Sequence, residues 1–548
     1  MSIKRYGIYL AYAPTVDLRN QGLGRYLASF VRGVTESVDI ELIIACPSWS
    51  KESLDDLFKS EGLSAEIAVI SPRGKPYLLR AYELFLRWTS KGPIKTGQQG
   101  KLRRLVRRYQ HEAERRLSQA HSPKSLFFLI MSTLRLGLLI TCCAPLLWVN
   151  SGVTMGGRLV KSIFRPLFKK LGAYVAHLTS TPKDNNWVRR QFKAMNDVES
   201  IRMKRMIEAR DDVIAWYSPT AFWPAFNELN VPTLMCVPDV VLTDFSIGFS
   251  GVGGDRFLET FETIRQAIQG AKQIVTYSDQ TKWHTLVDQF SVQAPSINVV
   301  RHAPNTLNHL IDIEGFPDPV TTSRNHCKKL FLWALQRVNT SYTAHFSNKD
   351  VKFLFYPSQI RPNKNIMTLL RAFEYLVHDR KIGLKLILTG DINNTLELND
   401  FIQSHRLQAD VISLRNLSLT ELAACYRLAE LAVNPSLSEG GCPFTFTEAL
   451  SVGTPAVMSR IPVTLEVLTD PQLQTVSLFD PYSWRDMADR IETAINTRPQ
   501  LLSLQRKAYE QLSLRTWTDV ASEHIALLDH IAADNSANSS SEGKTHER

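Results

Sequence analysis

The segment SLSEGGCPFTFTEAL, residues 436–450, is the most informative part of this chain. It follows the apolar run 430–436, which is typical of a buried parallel strand, and it leads into a helix predicted over 444–452. The Gly440-Gly441 pair lets the backbone approach a ligand closely, and the first N–H groups of the helix can bind an anion. The segment therefore predicts a strand, a glycine turn and a helix N-terminus suited to a phosphate group.

Two carboxylates flank this turn. Glu439 lies in the loop, and Glu448 lies about one turn inside the helix, where it could hold a sugar hydroxyl. Taken alone, Glu439 also fits an exposed loop acid, and Glu448 also fits an acid that favours the helix dipole. Both interpretations stay open at this point.

A second candidate site follows the strand predicted over 351–358. Arg361 and Lys364 stand three residues apart at the start of a helix predicted over 363–379. Two cations and a helix N-terminus at one point would hold a diphosphate. A solvated pair of surface charges is the alternative for these two residues taken alone.

Short apolar runs alternate with helical patterns along two parts of the chain. This alternation predicts an α/β fold with two doubly wound parallel sheets, in which ligands bind beyond the carboxyl ends of the strands. The strands are predicted at 6–14, 41–47, 212–219, 231–239, 272–279 and 296–304, and then at 351–358, 383–391, 410–414, 430–436, 454–459 and 474–481.

These patterns predict the domain boundaries. The first domain covers 1–305 and contains a basic and apolar, mostly helical insertion over 75–205. The remaining units are a linker over 306–350, a second domain over 351–500, closing helices over 501–532 and a disordered tail over 533–548.

The composition agrees with a folded protein of several domains. The chain has 548 residues, of which 44% are hydrophobic and 21% charged, and this excludes collagen-like and mostly disordered chains. Its seven cysteines show no CxxC spacing, so we expect neither a zinc site nor a disulfide framework. A reducing, cytoplasmic location is the resulting expectation.

The net charge of +11 arises from one segment. Residues 73–124 hold 14 Lys or Arg against three acidic residues, so the rest of the chain is neutral. Its densest part, 101–117, has apolar residues at helical spacing and arginines on the other face. The apolar run 126–149 follows, interrupted only by Arg135.

Three interpretations of 126–149 remain. A spanning helix has the required length, but a single crossing would place strands of one domain on opposite sides of the membrane. A hairpin or interfacial helix on an anionic membrane, with contact through 75–149, fits the neighbouring basic helix. A buried core helix is the third interpretation. No nucleic-acid module accompanies the arginines, so we expect no nucleic-acid partner.

The sequence over 436–468 resembles the signature of retaining glycosyltransferases of family 4, which have the GT-B fold. In that family two glutamates straddle a glycine-rich loop before a helix, and a Gly-x-Pro-x-Val strand and a Glu-Val pair follow. The matching residues here are Glu439, Glu448, Gly453, Pro455, Val457, Glu466 and Val467. Residues 357–373 resemble the family's diphosphate segment, and residues 20–26 resemble its amino-terminal glycine loop.

The resemblance implies a nucleotide-sugar donor in a cleft between two Rossmann-like domains. Arg361 and Lys364 would neutralise the leaving diphosphate, Glu439 would orient the transferred sugar, and Asp239 would contact that sugar or the acceptor. Glu448 would accept hydrogen bonds from the donor ribose. The other donor-binding residues are Gly22, Gly24, Gly440, Gly441, Cys442, Pro443 and Phe444.

The implied reaction retains the anomeric configuration, and the leaving phosphate acts as the base. The chain has no Asp-x-Asp motif, so we expect no metal, and no cofactor besides the donor substrate. The acceptor would be a saccharide or a lipid-linked saccharide in glycan biosynthesis, and mannose from a guanosine donor is the family-level expectation.

Two departures from the family pattern leave alternatives open. Eight residues separate Glu439 from Glu448 instead of seven, and Val237-Pro238-Asp239 stands where the family often has His-Asp. A catalytically inactive GT-B-like scaffold that binds a nucleotide or a membrane is therefore the alternative function. A glycan phosphorylase or a sugar-nucleotide epimerase of similar fold is a further alternative.

Overall fold

The computed structural model describes residues 3–16, 18, 22–36, 39–63, 67–80, 82, 186–246, 248–249, 255–338, 343, 351–392 and 395–545. The predicted basic helix 101–117 and the apolar run 126–149 lie outside the described residues, as does most of the insertion predicted over 75–205. Within the described part of the chain, no helix is both long enough and apolar enough to cross a membrane.

The first domain is built on a seven-stranded sheet in which every neighbouring pair is parallel. Its order is β3-β2-β1-β4-β5-β6-β7. The strands are β1 Lys4–Tyr9, β2 Ile40–Ala45, β3 Ala68–Ile70, β4 Ala215–Ser218, β5 Thr233–Cys236, β6 Ile274–Thr276 and β7 Ile297–Val299. Gly7 in β1 faces the indole of Trp216 so closely that a Cβ there would lie 2.2 Å from the ring.

The second domain is built on a six-stranded parallel sheet with the order β10-β9-β8-β11-β12-β13. Its strands are β8 Phe353–Tyr356, β9 Lys385–Leu388, β10 Val411–Ser413, β11 Leu431–Asn434, β12 Ala456–Ser459 and β13 Leu478–Phe479. The strand order reverses beside β1 in the first sheet and beside β8 in the second, which creates a crevice at the carboxyl end of each sheet.

Helices cover both sheets and follow most of the strands. They are α1 Gly22–Thr35, α2 Lys51–Ser60, α3 Asn186–Glu208, α4 Val241–Asp244, α5 Asp255–Gly270, α6 Pro319–Val338, α7 Ile366–His378, α8 Leu396–Ser404, α9 Leu419–Leu428, α10 Phe444–Ser451, α11 Pro462–Val467, α12 Pro471–Ser477, α13 Trp484–Asn496, α14 Arg498–Leu512 and α15 Trp517–Thr545. A π-helix covers Thr281–Gln289, and a short 3-10 helix covers Pro362–Lys364.

Residues 306–350 are not simply an irregular linker, as the sequence had suggested. Helix α6 occupies much of this range and packs on α9 of the second domain. Its buried residues include Cys327, Phe331 and Leu335, spaced by about one helical turn. That periodicity is the sequence signal for α6.

The carboxyl end of the chain returns to the first domain. Val520, Ala521, Ile525 and Leu528 of α15 lie in the same core cluster as β1 and β4. The helix continues to Thr545, so it includes residues 533–545 of the tail that the sequence predicts to be disordered. Residues 533–545 contain no proline and only one glycine, so little in the sequence ends the helix.

The strand predicted over 474–481 is also shorter than expected. Residues Pro471–Ser477 form α12, and only Leu478–Phe479 pair with β12. Asp470 begins this helix, since its carboxylate accepts hydrogen bonds from the N–H groups of Gln472 and Leu473.

Candidate active site

The glycine turn of the second domain contacts the first domain directly. A Cβ on Gly440 would lie 2.0 Å from the carbonyl oxygen of Pro238, just beyond β5. A Cβ on Gly441 would lie 2.8 Å from Nε2 of His302, just beyond β7. Both glycines are therefore required for the close approach of the two domains, and the carboxyl ends of the two sheets meet at this turn.

Two hydrogen bonds bring the loops after β8 and β11 together. The N–H of Leu437 donates to the carbonyl of Asn363 at 2.8 Å. The hydroxyls of Tyr356 and Ser436 lie 3.0 Å apart. This local fold places the 3-10 helix that carries Lys364 beside the loop that carries Glu439.

Lys364 and Glu439 form an ion pair in this position. The Nζ of Lys364 donates to Oε1 of Glu439 at 2.7 Å and lies 3.4 Å from the hydroxyl of Ser436. Burial lowers the pKa of Lys364, but the negative charge of Glu439 outweighs this effect and leaves the pKa above its usual value. Lys364 is therefore a permanent cation at physiological pH.

Arg361 is the exposed member of the predicted cation pair. Its guanidinium donates to the side-chain oxygen of Gln359 at 2.7 Å and forms no ion pair within the described ranges. The positive charges of Arg361 and Lys364 both act on Asp239. Both cations therefore lie within electrostatic range of one carboxylate of the facing domain.

Asp239 lies opposite these groups, on the loop after β5. Its side chain remains accessible to solvent although protein surrounds it on several sides, as expected for a group on the wall of a cleft. Partial removal of water and the charge of Glu439 raise the pKa of Asp239 to about 6, against the opposing effect of Lys364 and Arg361. The cleft therefore brings a carboxylate of the first domain to the ion pair of the second.

Glu448 has different surroundings from Glu439. It is 1% exposed, and its carboxylate forms an ion pair with Arg25 of α1. The Nδ2 of Asn305 lies 3.4 Å from the same carboxylate oxygen. The two glutamates thus have different cationic partners, since Lys364 pairs with Glu439 and Arg25 pairs with Glu448. The contact of Glu448 with a ribose stays a prediction.

The predicted donor-binding glycines of the first domain, Gly22 and Gly24, lie at the start of α1. Gly22 is the first residue of α1. Gly24 lies in the first turn of α1 and is required by the preceding loop, because a Cβ there would lie 2.1 Å from the carbonyl oxygen of Leu18. Residues 20 and 21 of the predicted glycine loop lie outside the described residues.

The turn before α10 can offer backbone N–H groups to an anion. Cys442 is half-buried, and Pro443 precedes Phe444, the first residue of α10. Pro443 has no N–H, so within residues 441–444 the backbone donors are those of Gly441, Cys442 and Phe444. The N–H of Phe446 already donates to the carbonyl of Pro443 at 3.0 Å.

His302 was not found by sequence analysis. Its ring centroid lies 4.5 Å from that of Phe444, and the ring stacks on Trp517. Burial lowers the pKa of His302 to about 4, so the ring is neutral at physiological pH. The residue comes from the loop after β7, where the only sequence signal was the end of a predicted strand.

A second missed feature joins the domains at Glu466. Its carboxylate accepts from the N–H groups of Asp279 at 3.1 Å and Gln280 at 3.3 Å, at the start of the π-helix. It also pairs with the guanidinium of Arg301 at 2.8 Å. The family signature contained Glu466, but its partners lie more than 160 residues earlier in the chain.

A cavity of about 400 Å³ opens beside Asp239 and Glu439. Both domains line it with polar side chains. These include Thr243, Asp244, Gln280, His284, Ser438 and Tyr482. In the part of the chain that the structure describes, no three His, Cys, Asp or Glu side chains are grouped as a metal site requires.

Solved structures share this architecture over nearly the whole chain. Anabaena HepE in complex with UDP and glucose has a TM-score of 0.54 at 12% identity, and the match covers 96% of this chain and 100% of that chain. The S. aureus TarM mutant in complex with fondaparinux, alpha-GlcNAc-glycerol and UDP has a TM-score of 0.52 at 12% identity, with 96% and 99% covered.

The chain has the GT-B fold. Residues 340–511 also match the family model of glycosyl transferases group 1. Both findings agree with the fold class and the superfamily that the signature over 436–468 predicted.

A protein of known activity is similar to part of this chain in sequence. It is the O-antigen chain mannosyltransferase RfbU of Salmonella typhimurium, which is 31% identical over 132 residues. The match covers 24% of this chain and 36% of the relative. The chain thus aligns with about a third of the length of this relative.

Proposed function

We propose that this protein is a glycosyltransferase that moves a hexosyl group from a nucleotide-diphosphate sugar to a saccharide acceptor. The match of residues 340–511 to group 1 glycosyl transferases supports the reaction class. The observation that carries the proposal is the position of Lys364, a permanent cation paired with Glu439 at 2.7 Å, close to Asp239 of the facing domain.

Electrostatic stabilisation of the leaving diphosphate is the proposed source of catalysis. Negative charge builds up on the diphosphate as the glycosidic bond breaks, and Arg361 and Lys364 are fixed near where it would lie. The N–H groups of Gly441, Cys442 and Phe444 add uncharged donors. In this proposal the two cations take the place of a divalent metal ion.

Glu439 and Asp239 act on the sugars. The ion pair holds the carboxylate of Glu439 at one position, so it can accept hydrogen bonds from hydroxyls of the transferred sugar and orient it. Asp239 contacts that sugar or the acceptor from the opposite wall. The anomeric configuration is retained through attack on the face that the diphosphate leaves, with the leaving phosphate as base and no carboxylate nucleophile.

The finer assignments are parts of the same proposal. The similarity to an O-antigen chain mannosyltransferase favours mannose from a guanosine donor and a role in polysaccharide biosynthesis. The acceptor is a saccharide or a lipid-linked saccharide, and residues 75–149 hold the protein on the inner face of a membrane through their positive charge.

A panel of radiolabelled GDP- and UDP-sugars, incubated with a mixed saccharide acceptor, tests the proposal. We expect one donor to give labelled product, and we expect Arg361→Ala/Lys364→Ala to reduce the rate at least about 100-fold. The matched control is Arg371→Ala, which removes an exposed cation of α7. Binding of a nucleotide sugar with neither transfer of the sugar to an acceptor nor release of the nucleotide would instead support the inactive scaffold.

A further inference from the structure

A second polar cavity, of about 560 Å³, lies in the first domain where β2 and β3 end. The loops after both strands and the start of α2 form its walls. Its lining includes Ser48, Lys51, Glu52, Arg73, Lys75 and Arg80. None of these residues has a role in the proposed transfer of the sugar.

The cavity is strongly basic. Among the described residues that line it, four are cations and Glu52 is the single acid. Lys75 pairs with Glu52 at 3.0 Å. Lys51, Arg73 and Arg80 form no ion pair within the residues that the structure describes. Three cations without an acidic partner around one cavity favour an anionic ligand.

Ser48 supplies an independent indication of a ligand. The residue is only 8% exposed, and its hydroxyl has no hydrogen-bond partner among the described residues, although it lines the cavity. A buried hydroxyl without a partner is costly unless a ligand or water completes its hydrogen bonds. Ser50 also leaves the start of α2 without a side-chain cap.

The walls are fixed in position by α3. The buried carboxylate of Glu199 accepts from the N–H of Ser48 at 2.7 Å and from Arg202 at 2.6 Å. The guanidinium of Arg202 also donates to the carbonyl oxygens of Arg73 and Gly74. The ion pair between the buried Glu199 and the half-buried Arg202 therefore holds both loops, so the site is formed before a ligand arrives.

The cavity and the cleft share one edge of the first sheet. All strands of this sheet are parallel, so the ends of β2 and β3 lie on the same side as the end of β5, which leads to Asp239. Three strand spacings separate β2 from β5, which corresponds to about 14 Å. A ligand of saccharide size can reach from one site to the other.

We propose that this cavity binds a phosphate or diphosphate group carried by the sugar acceptor. The assignment to the acceptor rests on the proposed transferase function, whereas binding of the anion itself does not. Ser48 donates its hydroxyl hydrogen to the anion, and Lys51 and Arg73 supply the charge. The anion is either that of a dissolved acceptor or a lipid headgroup, since the chemistry recognised is the same.

Calorimetric titration of inorganic pyrophosphate into the full-length protein tests the site. We expect Ser48→Ala to weaken binding about 10-fold and Lys51→Ala/Arg73→Ala to weaken it more. Ser48→Ala should leave the unfolding temperature of the free protein unchanged, because its hydroxyl has no protein partner among the described residues. The matched control, Lys59→Ala, removes an exposed cation from the other end of α2 and should have no effect.

Flotation with phosphatidylcholine vesicles, with and without phosphatidic acid, distinguishes the two sources of the anion. Flotation that needs phosphatidic acid and is lost in Lys51→Ala/Arg73→Ala assigns a lipid headgroup. Pyrophosphate binding without such flotation assigns a dissolved acceptor. Pyrophosphate binding and flotation that are both unchanged in Ser48→Ala and Lys51→Ala/Arg73→Ala would overturn the proposal.

The same titration separates this inference from the proposed function. We expect Arg361→Ala/Lys364→Ala to retain the pyrophosphate binding that depends on Ser48 while losing nucleoside-diphosphate binding. If that variant keeps its nucleoside-diphosphate affinity, the proposed donor site fails and the anion site stands. If nucleoside-diphosphate binding is lost in that variant but pyrophosphate binding does not depend on Ser48, Lys51 and Arg73, the anion site fails and the donor site stands.

Discussion

Arg25 of the first domain forms an ion pair with Glu448 of the second, and this carboxylate is 1% exposed. Asn305 lies within hydrogen-bond distance of the same oxygen. A buried charge is stable only when its partner is present, so this contact ties the stability of each domain to the position of the other.

Removal of the partner should therefore destabilise the protein. We expect Arg25→Met to lower the free energy of unfolding by about 2–4 kcal/mol, because the charge of Glu448 remains buried without compensation. Arg25→Met/Glu448→Gln should recover much of this loss. Urea unfolding measures both effects. Arg32→Met in the same helix is the control, and an equal loss in that variant would contradict the explanation.

Glu448 also provides a test of ribose recognition. Hydrogen bonds to a charged group contribute about 1.5–3 kcal/mol, so the wild-type protein should prefer a ribonucleoside diphosphate over its 2′,3′-dideoxy form by about 10-fold or more. Glu448→Gln should lose most of this preference while still binding both forms. Competition titrations measure the ratio, and a preference retained in Glu448→Gln would show that the ribose binds elsewhere.

Asp239 should make the free energy of unfolding depend on pH between about 4 and about 6. Its pKa is about 6 in the folded protein and about 3.9 in an unfolded chain, so the folded state binds more protons between these values. The contribution of Asp239 to the free energy of unfolding therefore decreases as the pH rises from about 4 to about 6. Thermal unfolding of Asp239→Asn should show a gain over wild type at about pH 7.5 and none at about pH 3.5.

The control for this experiment is Asp211→Asn, which changes an exposed carboxyl of the same domain. The unfolding temperature of this variant should change with pH in the same way as that of the wild-type protein. A gain for Asp239→Asn that is the same at all pH values would mean that the charge of Asp239 is not the cause.

His524 should produce the opposite pH dependence. It is fully buried in α15 against Phe30 and Tyr217, and burial lowers its pKa to about 4. The unfolded chain takes up this proton near pH 6.5, so stability is lost as the pH falls from about 6.5 to about 4, on the order of 3 kcal/mol. We expect His524→Phe to reduce this loss in urea unfolding, whereas His530→Gln, on the exposed face of α15, should not. A wild-type acid dependence in His524→Phe would contradict this assignment.

The sequence predicts both sheets because buried parallel strands are short apolar runs that can be recognised locally. It also predicts that Lys364, Arg361, Glu439 and Asp239 lie together, since each follows a strand and the carboxyl ends of parallel strands share one edge. The structure confirms the GT-B fold on which this argument depends.

The pairings between domains could not be predicted in this way. Arg25 and Glu448 are 423 residues apart, and Arg301 and Glu466 are 165 apart. No local pattern encodes such partners, because they are set by how two complete domains meet. The return of α15 to the first domain could not be predicted for the same reason. Its apolar periodicity indicates a buried face but does not indicate which domain core that face packs against.

Binding of nucleoside diphosphates to the wild-type protein and to Arg361→Ala/Lys364→Ala tests the proposed diphosphate site most directly. Isothermal titration with GDP and UDP should show one of them binding to the wild-type protein and to Arg371→Ala with equal affinity. The double variant should bind it at least about 100-fold more weakly, because both cations that face the diphosphate are removed. An affinity that is unchanged in the double variant would show that Arg361 and Lys364 do not bind the donor diphosphate.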